Sequence, residues 1–298
     1  MYIAEDQDRG KRTFTEVAGL YDRVRNRYPA ELFADLIRLA QLDVTSRVLE
    51  IGTGTGIATL PLAKLGCRIV GIELGAEMAD VARRNMVEFP NVDICVAAFE
   101  DWVPEGAFGG VRDGAQDEAP DGVQDEASGG GLFDLVMSAT AFHWIDPAVR
   151  FHKSATLLHP CGCLAIMNYW HAAGGTEDFF ERVQKFYELY MPGTEPGQKL
   201  TDPRQMVPDT SDLESCGWFA KPEVRTYITE ETYTREQYID LLSTYSGHRT
   251  LDADRRQRLF EAIGELIDRE YGGCIRKCYL NELIVADVLA REPGSPRP

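Results

Sequence analysis

The stretch Arg47-Val-Leu-Glu-Ile-Gly-Thr-Gly-Thr-Gly-Ile57 leaves this chain few ways to fold. An apolar run of Val48, Leu49 and Ile51 breaks into three alternating glycines, Gly52, Gly54 and Gly56. Apolar residues at helical spacing follow at once, with Leu60, Leu62, Ala63 and Leu65. The pattern predicts a strand over 47–51, a tight turn and a helix over 56–65. Glycine lacks a Cβ and tolerates positive φ, so such a turn lets a ligand approach its backbone closely. The helix start adds unpaired N–H groups and a partial positive charge. The physical reading is a nucleotide-like cofactor lying over the turn.

Spacing narrows the cofactor. The dinucleotide fingerprint G-x-G-x-x-G needs a third glycine where this chain has Ile57, so a nicotinamide oxidoreductase is disfavoured. What stands instead is Glu50 two residues before Gly52, then G-x-G-x-G. A second apolar run, Arg68-Ile-Val-Gly-Ile-Glu73, also ends in a carboxylate, which suits a ribose diol. Together these features resemble the class I S-adenosylmethionine (SAM)-dependent methyltransferases. The resemblance implies a Rossmann-like α/β fold, a mostly parallel seven-stranded sheet with helices on both faces. It implies SAM as the cofactor.

The rest of the chain alternates in the same way. Helix 75–88, strand 92–96, strand 132–138 and helix 147–158 follow, then a fifth strand over 163–169, and such alternation argues a doubly wound parallel sheet. Right-handed crossovers bring the strand C-terminal ends to one crevice. Phe14 to Ala40 reads as helical, with Pro29 opening its second helix. That segment, Phe14 to Pro29, resembles the N-terminal lid of the type 11 branch of these enzymes, which includes trans-aconitate methyltransferases. The run Phe133-Asp-Leu-Val…Ala141-Phe-His-Trp-Ile-Asp-Pro147 resembles the same branch, as does Thr244-Tyr-Ser-Gly-His248.

The resemblance implies a lid at 1–40 and a SAM-binding domain at 41–298, with substrate-side insertions at 171–220 and 231–271. Helices are expected at 177–190, 234–245 and 252–270, and strands at 223–229 and 279–287 as an antiparallel pair. For the cofactor it implies Glu50, Gly52, Thr53, Gly54, Gly56, Glu73, Leu74, Phe99, Glu100 and Ala139. Tyr21 and Arg25 of the lid are candidates for the methionine end. Relatives often carry an acid near Ala98 for the adenine amino group; here Ala97-Ala-Phe-Glu-Asp-Trp102 has none there. Trp144, Tyr245 and His248 are candidates to line the substrate pocket. His143, beside the transferable methyl, is the candidate catalytic base for a hydroxyl acceptor; a carboxylate acceptor needs no base, and the choice stays open. So does a SAM-binding protein of this fold that transfers no methyl.

Composition bounds the partners. The chain has 298 residues and a net charge of −17, which argues against nucleic acid or an anionic membrane surface. The expected partner is a small-molecule substrate; oligomeric state is not readable. No apolar run of spanning length occurs, and residues 1–12 read as a mobile charged leader without a signal-peptide core. Seven cysteines suit reduced, buried thiols in a cytoplasmic protein, and Cys161-x-Cys163 and Cys274-x-x-x-Cys278 lack zinc-site spacing. Residues 104–131 hold a tandem octapeptide, Asp113-Gly-Ala-Gln-Asp-Glu-Ala-Pro120 then Asp121-Gly-Val-Gln-Asp-Glu-Ala-Ser128. With nothing large to bury, it reads as a disordered acidic insertion in a surface loop.

Overall fold

The computed structural model describes residues 18–104 and 133–289. The expected leader and all but the first residue of the acidic insertion lie outside the described residues. Seven strands form one sheet: β1 Arg47–Ile51, β2 Arg68–Glu73, β3 Val92–Val96, β4 Phe133–Ala139, β5 Leu158–Ala172, β6 Glu223–Thr234 and β7 Cys274–Asp287. Their order is β3-β2-β1-β4-β5-β7-β6. The first five are mutually parallel, and β7 runs antiparallel between β5 and β6.

Period-two alternation builds two core layers from single strands. Val48, Leu135 and Cys163 sit side by side and face Leu32, Phe33 and Leu36 of helix Ala30–Leu39 and Leu62 of helix Thr59–Leu65. Leu49, Val136 and Leu164, one residue along, face Phe151 and Ala155 of helix Pro147–Leu157. Both faces are therefore covered, as a parallel sheet requires. Asp146 caps helix Pro147–Leu157 by accepting the Ala148 N–H, and Pro147 supplies a helical φ with no N–H to strand.

A third core lies beyond the sheet. Helices Glu177–Tyr190, Arg235–Ser243 and Ala253–Glu270 pack Phe179, Val183, Leu241, Leu259, Ile263 and Ile267 against Ile275 and Tyr279 of β7. Thr234 and Gln237 close the middle helix with reciprocal side-chain to backbone bonds. The insertions expected on the substrate side thus have a packed interior of their own.

Several boundaries differ from expectation. The helix after the glycines begins at Thr59, three residues later than predicted, and runs only seven residues. Helix 75–88 is trimmed to Ala76–Asn85. Of the two helices expected within Phe14–Ala40, the described residues form Ala18–Val24 and Ala30–Leu39, and Pro29 is the extended residue just before the second helix rather than its first. β5, β6 and β7 all extend further than their apolar runs, because each borrows ladder hydrogen bonds from its neighbour. The seven cysteines are all free, but Cys161 and Cys274 are exposed rather than buried. No helix among the described residues is long and apolar enough to cross a membrane.

Candidate active site

The glycine turn is locked to the neighbouring strand. Gly52 and Thr53 donate their N–H groups to the Ile72 carbonyl at 2.8 and 3.1 Å. One oxygen of Glu73 accepts the Gly54 N–H and the other accepts Gly75 N–H, each at 2.8 Å. Gly52 and Gly54 have φ of +73° and +60°, a left-handed conformation that side chains with a Cβ resist. A Cβ at Gly52 would also stand 2.3 Å from the Ala141 Cβ. The turn is thus packed directly against the turn that follows β4.

Over the turn runs a groove of about 150 Å³, lined among others by Tyr21, Gly52, Gly54, Glu73, Leu74, Met78, Phe99, Glu100, Ala139 and Trp144. Phe99 is buried, with the Lys153 ammonium over its ring. Glu100 accepts the Asp146 N–H at 3.1 Å, tying this wall to the following helix. Each Glu73 oxygen has spare lone pairs after its backbone bond, so the carboxylate keeps acceptor capacity toward the groove.

The groove continues into a recess of about 40 Å³ bordered by Tyr21, Arg25, Tyr28, Glu50, Thr53 and Tyr169. Glu50 is 1% exposed. One oxygen accepts the Thr59 hydroxyl at 2.5 Å; Oε1 has no partner among the described residues. Burial pushes its carboxyl up to about 8, so it holds its proton at neutral pH. A protonated carboxyl with an idle oxygen is poised to ionise when a cation enters beside it.

Beyond lies a larger cavity of about 710 Å³. Its walls are mostly aromatic and apolar, including Phe142, Trp144, Phe151, Ile166, Tyr169, Trp170, Tyr245 and Ile284. His143 stands on the short 3-10 turn Phe142–Trp144 and opens to this cavity. The residue is still exposed to solvent, but partial loss of water around the ring, with the Arg150 guanidinium nearby, lowers its pKa below the ordinary 6.5. The imidazole is therefore neutral at pH 7 and free to take a proton. His171 and the Tyr245 hydroxyl lie 3.3 Å apart on the same cavity, and His248 bonds the Tyr187 hydroxyl at 3.1 Å. Burial pushes His248 down to about 4, so it too is neutral.

Arg25, just beyond helix Ala18–Val24, ties that helix to the C-terminal end of helix Arg235–Ser243. Its Nε donates to the Thr244 hydroxyl and Nη2 to the Thr244 carbonyl, both at 2.9 Å, and Nη1 donates to the Tyr169 hydroxyl at 2.6 Å. The guanidinium lies between the Tyr21 and Tyr245 rings, 4.6 and 4.5 Å from their centroids. Of five N–H donors three are committed to partners among the described residues, which leaves two for a ligand. Arg25 borders both the recess and the large cavity.

Most residues singled out from the sequence converge here. Tyr21, Arg25, Glu50, Gly52, Thr53, Gly54, Glu73, Leu74, Phe99, Glu100, Ala139, His143, Trp144, Tyr245 and His248 border one or more of the three spaces. Gly56 borders none of them; it sits within the turn with φ of +88° and donates its N–H to the Thr53 carbonyl at 3.0 Å. Tyr28, Thr140, Tyr169 and His171 were not singled out. His171 was missed because β5 was expected to stop at Tyr169. Thr140 sits inside the run that drew attention to His143, with nothing in its residue type to mark it.

A family model described as a methyltransferase domain matches residues 21–235. An uncharacterized methyltransferase of Schizosaccharomyces pombe is 23% identical over 257 residues, 86% of this chain and 87% of that protein. An uncharacterized methyltransferase of Mycobacterium tuberculosis is 30% identical over 155 residues, 52% of this chain and 51% of that protein, so the match spans about half of each. A solved structure from Anaeromyxobacter dehalogenans, provisionally described as a type II methyltransferase, superposes with a TM-score of 0.56 at 18% identity, covering 90% of this chain and 99% of that one. That likeness concerns the fold alone.

Proposed function

Since the chain belongs to the SAM-dependent methyltransferase family, we propose that it methylates a small molecule on a carboxylate or hydroxyl oxygen. The observation that carries this reading is the 710 Å³ cavity, which shares Tyr21, Thr140 and Trp144 with the glycine-turn groove. Its volume and aromatic lining suit a small organic ligand. The chain's net charge of −17 argues against a polyanionic acceptor such as nucleic acid.

The residues present fit the cofactor. Gly52 and Gly54 keep the turn bare of side chains where the groove passes, and Glu73 keeps lone pairs for a diol. Glu50 offers an unpartnered buried oxygen to a cation, and Arg25 offers two unused N–H groups to an anion. Phe99 and Leu74 give the groove an apolar wall. When bound, SAM supplies a methyl on a sulfonium, already a strong electrophile. The chain's own work is then to hold the acceptor oxygen in line, and positioning of this kind is worth up to roughly 7–11 kcal/mol. For a hydroxyl acceptor, neutral His143 takes the proton as the oxygen reacts. A carboxylate acceptor arrives ionised and leaves His143 with no proton to take.

The test is a panel of small carboxylic acids and phenols incubated with the protein and isotopically labelled SAM. The reading expects S-adenosylhomocysteine (SAH) to form only with certain acceptors. It also expects His143→Ala to slow phenols by about 100-fold or more while sparing carboxylates, since general base catalysis contributes typically 10²–10⁴-fold. SAM binding without SAH formation across the panel would favour a non-methylating role.

A further inference from the structure

Two residues line all three spaces, Tyr21 and Thr140. The junction they form is where the cofactor groove meets the acceptor cavity. Thr140 has φ of +55°, a left-handed backbone that a β-branched residue rarely adopts. Such strain persists only where the surroundings impose it, and it gathers at functional sites. Here two contacts impose it. The Thr140 N–H donates to the Met167 carbonyl at 2.7 Å, and the next residue, Ala141, presses its Cβ into the space a side chain at Gly52 would need. The Thr140 hydroxyl shares a short hydrogen bond with the Tyr28 hydroxyl.

We propose that Thr140 is a positioning residue for the reacting methyl, its hydroxyl held by Tyr28 so that oxygen lone pairs meet positive charge at the junction. The proposal rests on the SAM reading above. Two hydroxyl oxygens carry four acceptor lone pairs, and the bond between them uses one. Three remain, whichever oxygen donates. A positively charged methylated sulfur gains from such oxygens; a neutral thioether gains little. Thr140 therefore discriminates SAM from SAH, favouring entry of the one and departure of the other. Tyr28 acts through Thr140 by fixing its rotamer.

Calorimetric titration with SAM and with SAH separately, on the parent chain, Thr140→Val and Thr140→Ser, tests this. Valine keeps the branched shape and loses the oxygen. The expected result is a SAM affinity at least fivefold weaker in Thr140→Val, an SAH affinity within twofold of the parent, and recovery of SAM affinity in Thr140→Ser. Parallel weakening of both ligands in Thr140→Val would reduce Thr140 to a structural role and overturn the proposal, as would no weakening of either. If the parent binds neither ligand, the SAM reading fails first and this inference with it; if the parent binds both and Thr140→Val keeps their ratio, only this inference fails.

Discussion

Gly52→Ala should abolish cofactor binding and lower stability together, whereas Gly54→Val should abolish binding with a much smaller stability loss. The two glycines share a positive φ but differ in surroundings. A Cβ at Gly52 would lie 2.3 Å from the Ala141 Cβ, a distance no real pair of carbons tolerates, so the turn after β4 must shift. Left-handed backbone costs roughly 1–2 kcal/mol for a residue with a Cβ, and overpacking adds typically 1–3 kcal/mol. The sum, about 2–5 kcal/mol, falls on the turn carrying Thr140 and Ala141, which borders both the groove and the large cavity. At Gly54 the nearest atom to an added Cβ is the Met78 Cε at 3.7 Å, so the fold meets only the φ penalty. That side chain instead enters the groove and the recess, both of which Gly54 lines. Thermal melting and SAM titration of the two variants separate the effects. Unchanged affinity in Gly54→Val would remove the turn from the site.

Lys277→Met should stabilise the protein, and most strongly at low pH. Lys277 is 3% exposed on β7, its ammonium over the rings of Phe180 and Tyr279. Burial lowers its pKa from about 10.5 to about 7, and no carboxylate contributes to hold it charged. The titratable groups coupled to it are His171 and His248, whose own protonation its charge opposes, and the adjacent Cys278 thiol, which favours the charge. The unfolded chain keeps this lysine protonated up to about pH 10.4. Below pH 7 the folded state must bury the charge, at a cost of roughly 3–5 kcal/mol. Between about 7 and 10 the folded state sheds the proton while the unfolded state keeps it, so parent stability rises with pH as the charge penalty is replaced by a smaller deprotonation cost. Methionine has similar length and no charge. Melting curves at pH 6, 7, 8 and 9.5 should show Lys277→Met above the parent by several degrees at pH 6, with the gap closing as pH rises. A variant less stable than the parent at every pH would show that the amine has a stabilising partner.

Lys277 also marks the limit of what sequence reading reaches. The run around it, Arg276-Lys-Cys-Tyr279, carries no sign that this lysine turns inward, because its burial depends on helix Glu177–Tyr190, about ninety residues earlier in the chain. The parallel half of the sheet was legible because each strand is a short, mostly apolar run, and those of β1 and β2 end in a glycine and a carboxylate, so local pattern and tertiary place coincide. Glu50, Gly52, Gly54 and Glu73 could be read for the same reason, being fixed by strand ends. The cavity walls were less legible. Tyr28, Thr140 and Tyr169 meet through contacts between segments more than a hundred residues apart, and only the fold brings them together. The helix after the turn began late because residues 56–58 serve the turn rather than the helix, which periodicity alone cannot apportion.

Occupation of the groove and recess by SAM is the proposal from which the other binding expectations follow. Its most direct test is calorimetric titration of the purified chain with SAM, SAH and NAD at pH 7, in two buffers of different ionisation enthalpy. The buried Glu50 carboxyl, held protonated by a pKa of about 8, should ionise when the cationic end of the cofactor enters beside it. The expected result is micromolar binding of SAM and SAH, no binding of NAD, and release of close to one proton that disappears in Glu50→Gln. Binding of NAD alone, or SAM binding with no proton released, would contradict it.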